Sequence, residues 1–135
     1  MLTRSDIRPE WSIVLDLPRP PSVNRFIKKL GNRTPQVQMW TAWADHLLYA
    51  ARAARRGTPR AIVPIRGPYE LELTFQRSNQ KADLDNMVKP MSDWLQRVGL
   101  IENDKYCERL VAEWGRAPLG VRVRLRGWMR EERPS

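Results

Sequence analysis

The stretch from Tyr69 to Val98 reads YELELTFQRSNQKADLDNMVKPMSDWLQRV, and it changes from a strand pattern to a helix pattern. Its first part, Tyr69–Phe75, alternates apolar and polar side chains, which predicts a strand with one buried face. A polar loop follows over 76–81. From about 87 to 98 the apolar residues recur at helical spacing, so this part is predicted to be an amphipathic helix that Gly99 ends. Its buried stripe is expected to contain Met87, Val88, Met91, Trp94, Leu95 and Val98.

The segments on either side extend this pattern to six elements. Residues 11–17 (WSIVLDL) predict a first strand, which the prolines that follow it end. Residues 36–56 predict a long helix, and residues 107–114 and 121–128 predict two strands joined by a hairpin-like connection. The order β-α-β-α-β-β therefore predicts an α+β fold, a mixed sheet with two helices packed on it. The buried face of the long helix is expected to contain Trp40, Trp43, Ala44, Leu47, Leu48, Ala51 and Ala54.

Composition indicates a single, strongly basic domain. The 135 residues are expected to form one domain over 1–135, with an ordered core over about 11–128 and a charged C-terminal tail. The 24 Lys and Arg against 15 Asp and Glu give a net charge of +9, which attracts nucleic acid before anionic membrane. Cys107 and His46 are the only cysteine and histidine, which excludes an internal disulfide and the usual zinc sites. With no bilayer-length apolar run and no signal-peptide core, we expect a cytoplasmic protein without a membrane partner.

Acidic residues are concentrated where the second helix is expected to begin. On an extended segment Asp83 and Asp85 point to the same side, because side chains alternate with period two. If the helix starts just after them, Asp85, Lys89 and Asp93 lie within about 80° of arc, opposite the apolar stripe. Asn86 is expected to cap the helix and steady this junction. Asp-x-Asp alone is usually a solvated turn or a cap, and Asp93 is expected to support the site or the fold rather than to be a metal ligand itself.

A third carboxylate, Asp104, follows the turn at Gly99 and is expected to return toward Asp83 and Asp85. Carboxylate oxygens are hard ligands that suit Mg²⁺, with Mn²⁺ as the alternative. A cation held there would polarise a phosphoryl group and help to deprotonate the attacking water. Lys89 would add positive charge at the scissile phosphate. Concentrated acid in a basic chain therefore predicts a metal-dependent enzyme that acts on nucleic acid.

The polar segment after the first strand is rich in basic residues. Pro20 and Pro21 stiffen this loop, and the acidic site needs a partner of this charge, so phosphate contact is favoured over scattered surface charge. Asn24 is equally suited to orienting a phosphate or the loop backbone. The expected DNA contacts are Arg19, Asn24, Arg25, Lys28, Lys29 and Arg33, with Arg77 and Lys81 in the loop before the acidic motif.

Two motifs of the chain resemble the RusA family of Holliday junction resolvases. One is Asp-Leu-Asp-Asn-x-x-Lys-x-x-x-Asp-x-Leu-x-x-x-Gly over 83–99, and the other is LPRPPSVNR over 17–25. The resemblance implies a RusA-like fold and a homodimeric, Mg²⁺-dependent endonuclease. Such an enzyme makes paired nicks in four-way DNA junctions, in homologous recombination and DNA repair.

The same resemblance implies roles for individual residues. Asp83, Asp85 and Asp104 match the metal-binding aspartates of the family, and Lys89 matches its catalytic lysine. Asn103 departs from the pattern, because the family usually has the first acid of an Asp-Asp pair there. If that acid only tunes the site, activity survives the change; if it binds the metal, metal affinity falls.

Other classes of protein remain open on the same residues. A phosphatase or nucleotide-sugar transferase that uses Asp-x-Asp needs the motif at the end of a buried parallel strand, and the polar loop 76–81 disfavours this. A non-catalytic branched-DNA-binding protein on the same scaffold is the alternative that Asn103 keeps open. The outer face of the first helix, around His46, is expected to be either plain surface or a dimer contact. Trp114 is expected in the core, and Trp128 is a candidate for a contact across the dimer.

Overall fold

The computed structural model of the chain describes residues 10–21, 35–78 and 83–129. Within them lie four strands and two α-helices in the expected order, so the α+β prediction is confirmed. The elements are β1 (Ile13–Pro18), α1 (Pro35–Arg55), β2 (Tyr69–Phe75), α2 (Val88–Arg97), β3 (Cys107–Trp114) and β4 (Gly120–Gly127). Short 3₁₀ turns over Leu84–Met87 and Asp104–Tyr106 precede α2 and β3. Among the described helices, none combines the length and the apolar character needed to cross a bilayer.

The four strands form one mixed sheet with the order β1-β4-β2-β3. β4 pairs antiparallel with β1 and with β2, whereas β3 pairs parallel with β2. The predicted hairpin between the last two strands is therefore wrong, because β2 lies between them. Parallel strands need a long crossover, and α2 supplies it between β2 and β3.

The connection from β3 to β4 passes across the end of β2. The Gly115 amide donates to the Phe75 carbonyl at 3.0 Å, and the Gln76 amide donates to the Gly120 carbonyl at 2.9 Å. The Gln76 side chain also accepts from the Ala117 amide at 2.9 Å. The short connection is thus hydrogen-bonded to the end of the strand that it crosses.

One apolar cluster joins both helices to one face of the sheet. Leu71, Leu73 and Phe75 of the central strand β2 are fully buried in it. Trp40 of α1 meets Trp94 of α2 edge to face, with ring centroids 6.1 Å apart. Of the predicted stripe, α2 buries Met91, Trp94 and Leu95, while Val88 and Val98 are half-buried. Pro90 lies in the first turn of α2, where a proline costs little.

The buried face of α1 is narrower than the sequence pattern predicts. Its buried residues are Val37, Trp40, Ala44 and Leu48. Trp43 was expected in the core but is 53% exposed, and Ala54 is also exposed. Leu47 and Ala51 are half-buried against the core, so the residues at the edges of the predicted face, Trp43 and Ala54, are the ones that the sheet does not cover. Trp43 instead joins Met39 and Tyr49 on the exposed outer face, and His46 is exposed as expected.

In the described part of the chain, the opposite face of the sheet is covered by ion pairs and not by a helix. Glu70 of β2 is only 3% exposed, since Arg109 and Arg126 of the neighbouring strands both pair with it. Arg122 pairs with both carboxylate oxygens of Asp16, at 2.8 and 3.2 Å. The polar face of β2 is thus more buried than a one-sided strand would be, because long arginine stems lie across it.

Candidate active site

Asp83 and Asp85 lie on the 3₁₀ turn that leads into α2. Asp83 is the residue before the Leu84–Met87 turn and has extended backbone, and both carboxylates are exposed. Met87 is fully buried and anchors the turn in the core. Two carboxylates therefore lie on the surface, on a turn that the buried side chain of Met87 fixes to the core.

Asn86 does not cap α2, which corrects the prediction. The residue before α2 is Met87, and no side chain caps this helix. Asn86 lies inside the 3₁₀ turn, where its amide N–H donates to the Asp83 carbonyl at 3.1 Å. Its side-chain Nδ2 lies 3.5 Å from Asp83 Oδ2, so Asn86 still supports the Asp83 carboxylate.

Lys89 joins two carboxylates that are far apart in the sequence. Its Nζ lies 2.9 Å from Asp93 Oδ1 and 3.1 Å from Asp104 Oδ2. The hydrogen bonds that the ammonium donates, first to Asp93 and then to Asp104, raise the pKa of Lys89 above its ordinary value. Because the pKa is raised, the ammonium and its two ion pairs are fully present at neutral pH and are lost only as the pH rises through the raised value.

A hydrogen bond of its backbone amide also holds Asp104 in place. Its amide N–H donates to Gln96 Oε1 on α2 at 3.1 Å. Asn103, the residue before it, accepts from the Lys105 amide at 3.0 Å and so caps the Asp104–Tyr106 turn. An aspartate at position 103 could accept the same hydrogen bond. The departure from the RusA-like pattern therefore leaves the turn that carries Asp104 supported.

The donor chemistry of the predicted metal ligands fits Mg²⁺, since Asp83, Asp85 and Asp104 offer only hard carboxylate oxygens. As the side chains lie, however, the described parts of the chain contain no group of three His, Cys, Asp or Glu residues that could hold a metal ion. Asp104 contacts the ammonium of Lys89 instead. The three-aspartate ligand set therefore stays a prediction.

The start of β3 brings together two residues whose proximity the sequence did not reveal. The register of β2 and β3 places the buried Tyr69 opposite the half-buried Cys107, whose thiol donates to the Arg109 carbonyl at 3.5 Å. Burial raises the pKa of Tyr69 above its usual range and, as the largest cause, also raises the pKa of Cys107. The charge of Asp104 acts in the same direction on both. That Tyr69 and Cys107 are neighbours follows only from the pairing of β2 with β3.

The raised pKa of Cys107 predicts that its thiol reacts slowly at neutral pH. Less thiolate is present at neutral pH than for an ordinary cysteine, and the thiolate is the species that reacts. We expect Ellman's reagent to modify Cys107 at pH 7 more slowly than it modifies free cysteine, and the rate to climb as the pH rises above the ordinary thiol pKa. A thiol as fast as free cysteine at pH 7 would contradict the observed environment. Unfolded protein in urea is the matched control, because it exposes the same single cysteine.

Two of the predicted DNA contacts meet at a residue that was expected only to fill the core. The guanidinium carbon of Arg19 lies 5.4 Å from the ring centroid of Trp114, and that of Arg77 lies 4.9 Å from it. Trp114 is half-buried rather than a full core residue. The other predicted contacts lie outside the described residues; they are Asn24, Arg25, Lys28, Lys29, Arg33 and Lys81.

Comparisons with known proteins assign no family to this site. No family model matches the chain, and no curated protein matches it.

Proposed function

We propose that the chain is a RusA-like, Mg²⁺-dependent DNA endonuclease that resolves four-way junctions by paired nicks, in homologous recombination and DNA repair. One observation carries the proposal: Lys89 and Asp104, fifteen residues apart, meet at 3.1 Å beside the helix start that Asp83 and Asp85 introduce. The chain around these acids has a net charge of +9. Such a charge favours a polyanionic substrate, and concentrated acid within it suits a divalent cation.

In this proposal Asp83, Asp85 and Asp104 hold Mg²⁺, with Mn²⁺ as the alternative. The bound cation would supply Lewis acidity at the phosphate and lower the pKa of a water molecule. Lys89 keeps its ammonium charged at neutral pH and offers it to a non-bridging oxygen of the scissile phosphate. Asp93 orients that ammonium through the contact at 2.9 Å.

A direct cleavage assay tests the activity. Purified protein is incubated with a synthetic four-way junction in Mg²⁺, in EDTA, and beside a linear duplex of the same sequence. We expect paired nicks in the junction that require the metal, and no comparable cutting of the duplex. Two active sites on a homodimer would suit the two-fold symmetry of a junction, and sedimentation of the same sample tests that dimer.

The non-catalytic alternative is favoured by one observation, namely that the described residues present no ready group of three metal-ligating side chains. On that alternative the chain would bind branched DNA without cutting it. Tight junction binding with no product in Mg²⁺ or Mn²⁺ would therefore replace the endonuclease proposal with the binding one. Equal cutting of junction and duplex would keep the nuclease but refute junction specificity.

Replacement of Lys89 by methionine is expected to slow junction cleavage by about 100-fold or more, because one electrostatic contact to the transition state is lost. Lys89 is largely exposed, so thermal unfolding should change little. The measurement is the single-turnover rate in Mg²⁺. Lys105→Met is the matched control, since it removes the same charge from an exposed residue next to Asp104. Equal rates for the two variants would contradict the role of Lys89.

A further inference from the structure

We propose that Arg19, Arg77 and Trp114 form a phosphate clamp that holds the DNA backbone next to the acidic turn. This clamp rests on the proposed function, because it assumes that DNA is the partner, but it can fail separately from it. Both guanidiniums lie over the ring of Trp114, at 5.4 and 4.9 Å from the centroid. An aromatic face holds a guanidinium by cation–π attraction, so the ring orients both charges at once.

Trp114 is itself fixed by the core. It ends β3, opposite Phe75 of β2, and the two rings meet edge to face with centroids 6.4 Å apart. Phe75 is fully buried. The ring of Trp114 is therefore held by the strand pair β2–β3 and offers the two arginines a fixed surface.

Arg19 connects the clamp to the acidic turn. Its guanidinium donates to Ser78 Oγ at 2.7 Å, and its Nε lies 3.1 Å from the sulfur of Met87. Met87 belongs to the Leu84–Met87 turn, which also carries Asp85. A phosphate bound at Arg19 and Arg77 would thus belong to the same stretch of backbone that reaches the acidic turn.

Within the described parts of the protein, no carboxylate neutralises the two guanidinium charges of the clamp. Neither Arg19 nor Arg77 pairs with a carboxylate of residues 10–21, 35–78 or 83–129. Other arginines in the same part of the chain do form such pairs, namely Arg97, Arg109, Arg122 and Arg126. Guanidinium groups bind phosphate through their N–H donors, and stacking on a ring does not cover the edge of the fork. Arg19 already donates through Nε and Nη1 to Met87, Ser78 and the Gln76 carbonyl, so it would contact phosphate through Nη2. Two oriented, uncompensated guanidiniums therefore suit a phosphodiester better than scattered surface charge does.

Binding in the absence of cleavage tests the clamp. The probe is a fluorescein-labelled four-way junction in EDTA, followed by anisotropy over a series of salt concentrations. Arg77→Gln is expected to weaken binding about tenfold, as one charge-assisted contact is worth that much. The slope of log K against log salt should fall by about 0.9, as for one lost phosphate contact. The matched control is Arg56→Gln, which removes the same charge from an exposed residue just after α1 and should change affinity less than about twofold.

Trp114→Leu is the decisive variant, because it leaves the net charge unchanged. We expect it to weaken binding by several-fold, since both arginines lose the surface that orients them. Trp114→Phe keeps an aromatic face and should bind more tightly than Trp114→Leu. Circular dichroism confirms folding of each variant, and if Trp114→Leu does not fold, Arg77→Gln against Arg56→Gln decides alone.

The outcomes separate the two proposals. If the unmodified protein binds and cuts the junction but Arg77→Gln behaves like Arg56→Gln, the clamp is refuted and the endonuclease stands. If Trp114→Leu folds and binds as tightly as the unmodified protein, the orienting role of the ring is refuted. If the unmodified protein binds no DNA, both proposals fall together.

Discussion

Asp85→Asn is expected to lower the rate of Mg²⁺-dependent junction cleavage by at least about 100-fold, because removing even an outer-shell partner of a metal site costs 10–100-fold. A neutral amide replaces an anionic ligand that the proposed site needs. The Asp85 side chain is exposed and makes no ion pair or hydrogen bond with the described residues, so the fold should not change. Single-turnover cleavage and thermal unfolding are the two measurements.

A matched carboxylate shows whether this effect belongs to the site. Glu113→Gln also removes one exposed negative charge, from β3, and it should leave cleavage within about twofold of the unmodified protein. Junction binding in EDTA should persist in Asp85→Asn, since the change removes no cation that contacts phosphate. Undiminished cutting by Asp85→Asn would refute the assignment of this residue as a metal ligand.

Glu70→Gln is expected to destabilise the protein by about 3 kcal/mol, because removing one charge from a buried ion pair is costly. Glu70 is 3% exposed and pairs with both Arg109 and Arg126, the latter 6% exposed. The amide keeps the size of the side chain but not its charge, so the guanidinium of Arg126 would be left buried without its carboxylate. Urea unfolding followed by circular dichroism measures the loss.

The neighbouring acid on the same strand face provides the comparison. Glu72 is half-buried and pairs with Arg109 at 2.8 Å. In Glu72→Gln, Arg109 keeps its contact with Glu70 at 3.1 Å, so the expected cost is about 1 kcal/mol or less. If the two variants unfold at the same urea concentration, burial of the Glu70 network does not contribute as described.

Local patterns predicted most of the elements. Tyr69–Phe75 and Cys107–Trp114 have the bounds that alternation indicated, and α2 lies within the range given by its apolar stripe. These features depend on residues within one or two turns of each other, which is the range that periodicity describes. The pattern could not choose between Trp40 and Trp43 for the core, because both lie within one broad helical face.

Sequence patterns likewise predicted one part of the candidate site correctly and another part wrongly. Helical spacing predicted that Lys89 and Asp93 lie on one exposed face of α2, and their ion pair confirms it. Asp85 was expected on the same helical face but lies on the 3₁₀ turn before α2. Asn86 was placed at the wrong position because a 3₁₀ turn precedes α2, and no residue pattern distinguishes such a turn from the first turn of a helix.

The amino-acid sequence by itself determined where strands and helices form, which side of α2 is apolar, and that acid is concentrated on a basic chain. The tertiary structure alone decided that β2 separates β3 from β4, that Asp104 meets Lys89, and that Arg19 and Arg77 share the ring of Trp114. The physical reason is the range of the forces involved. Periodicity and capping act between neighbours along the chain, whereas strand order and these contacts come from burying one common core, to which residues far apart in sequence contribute together.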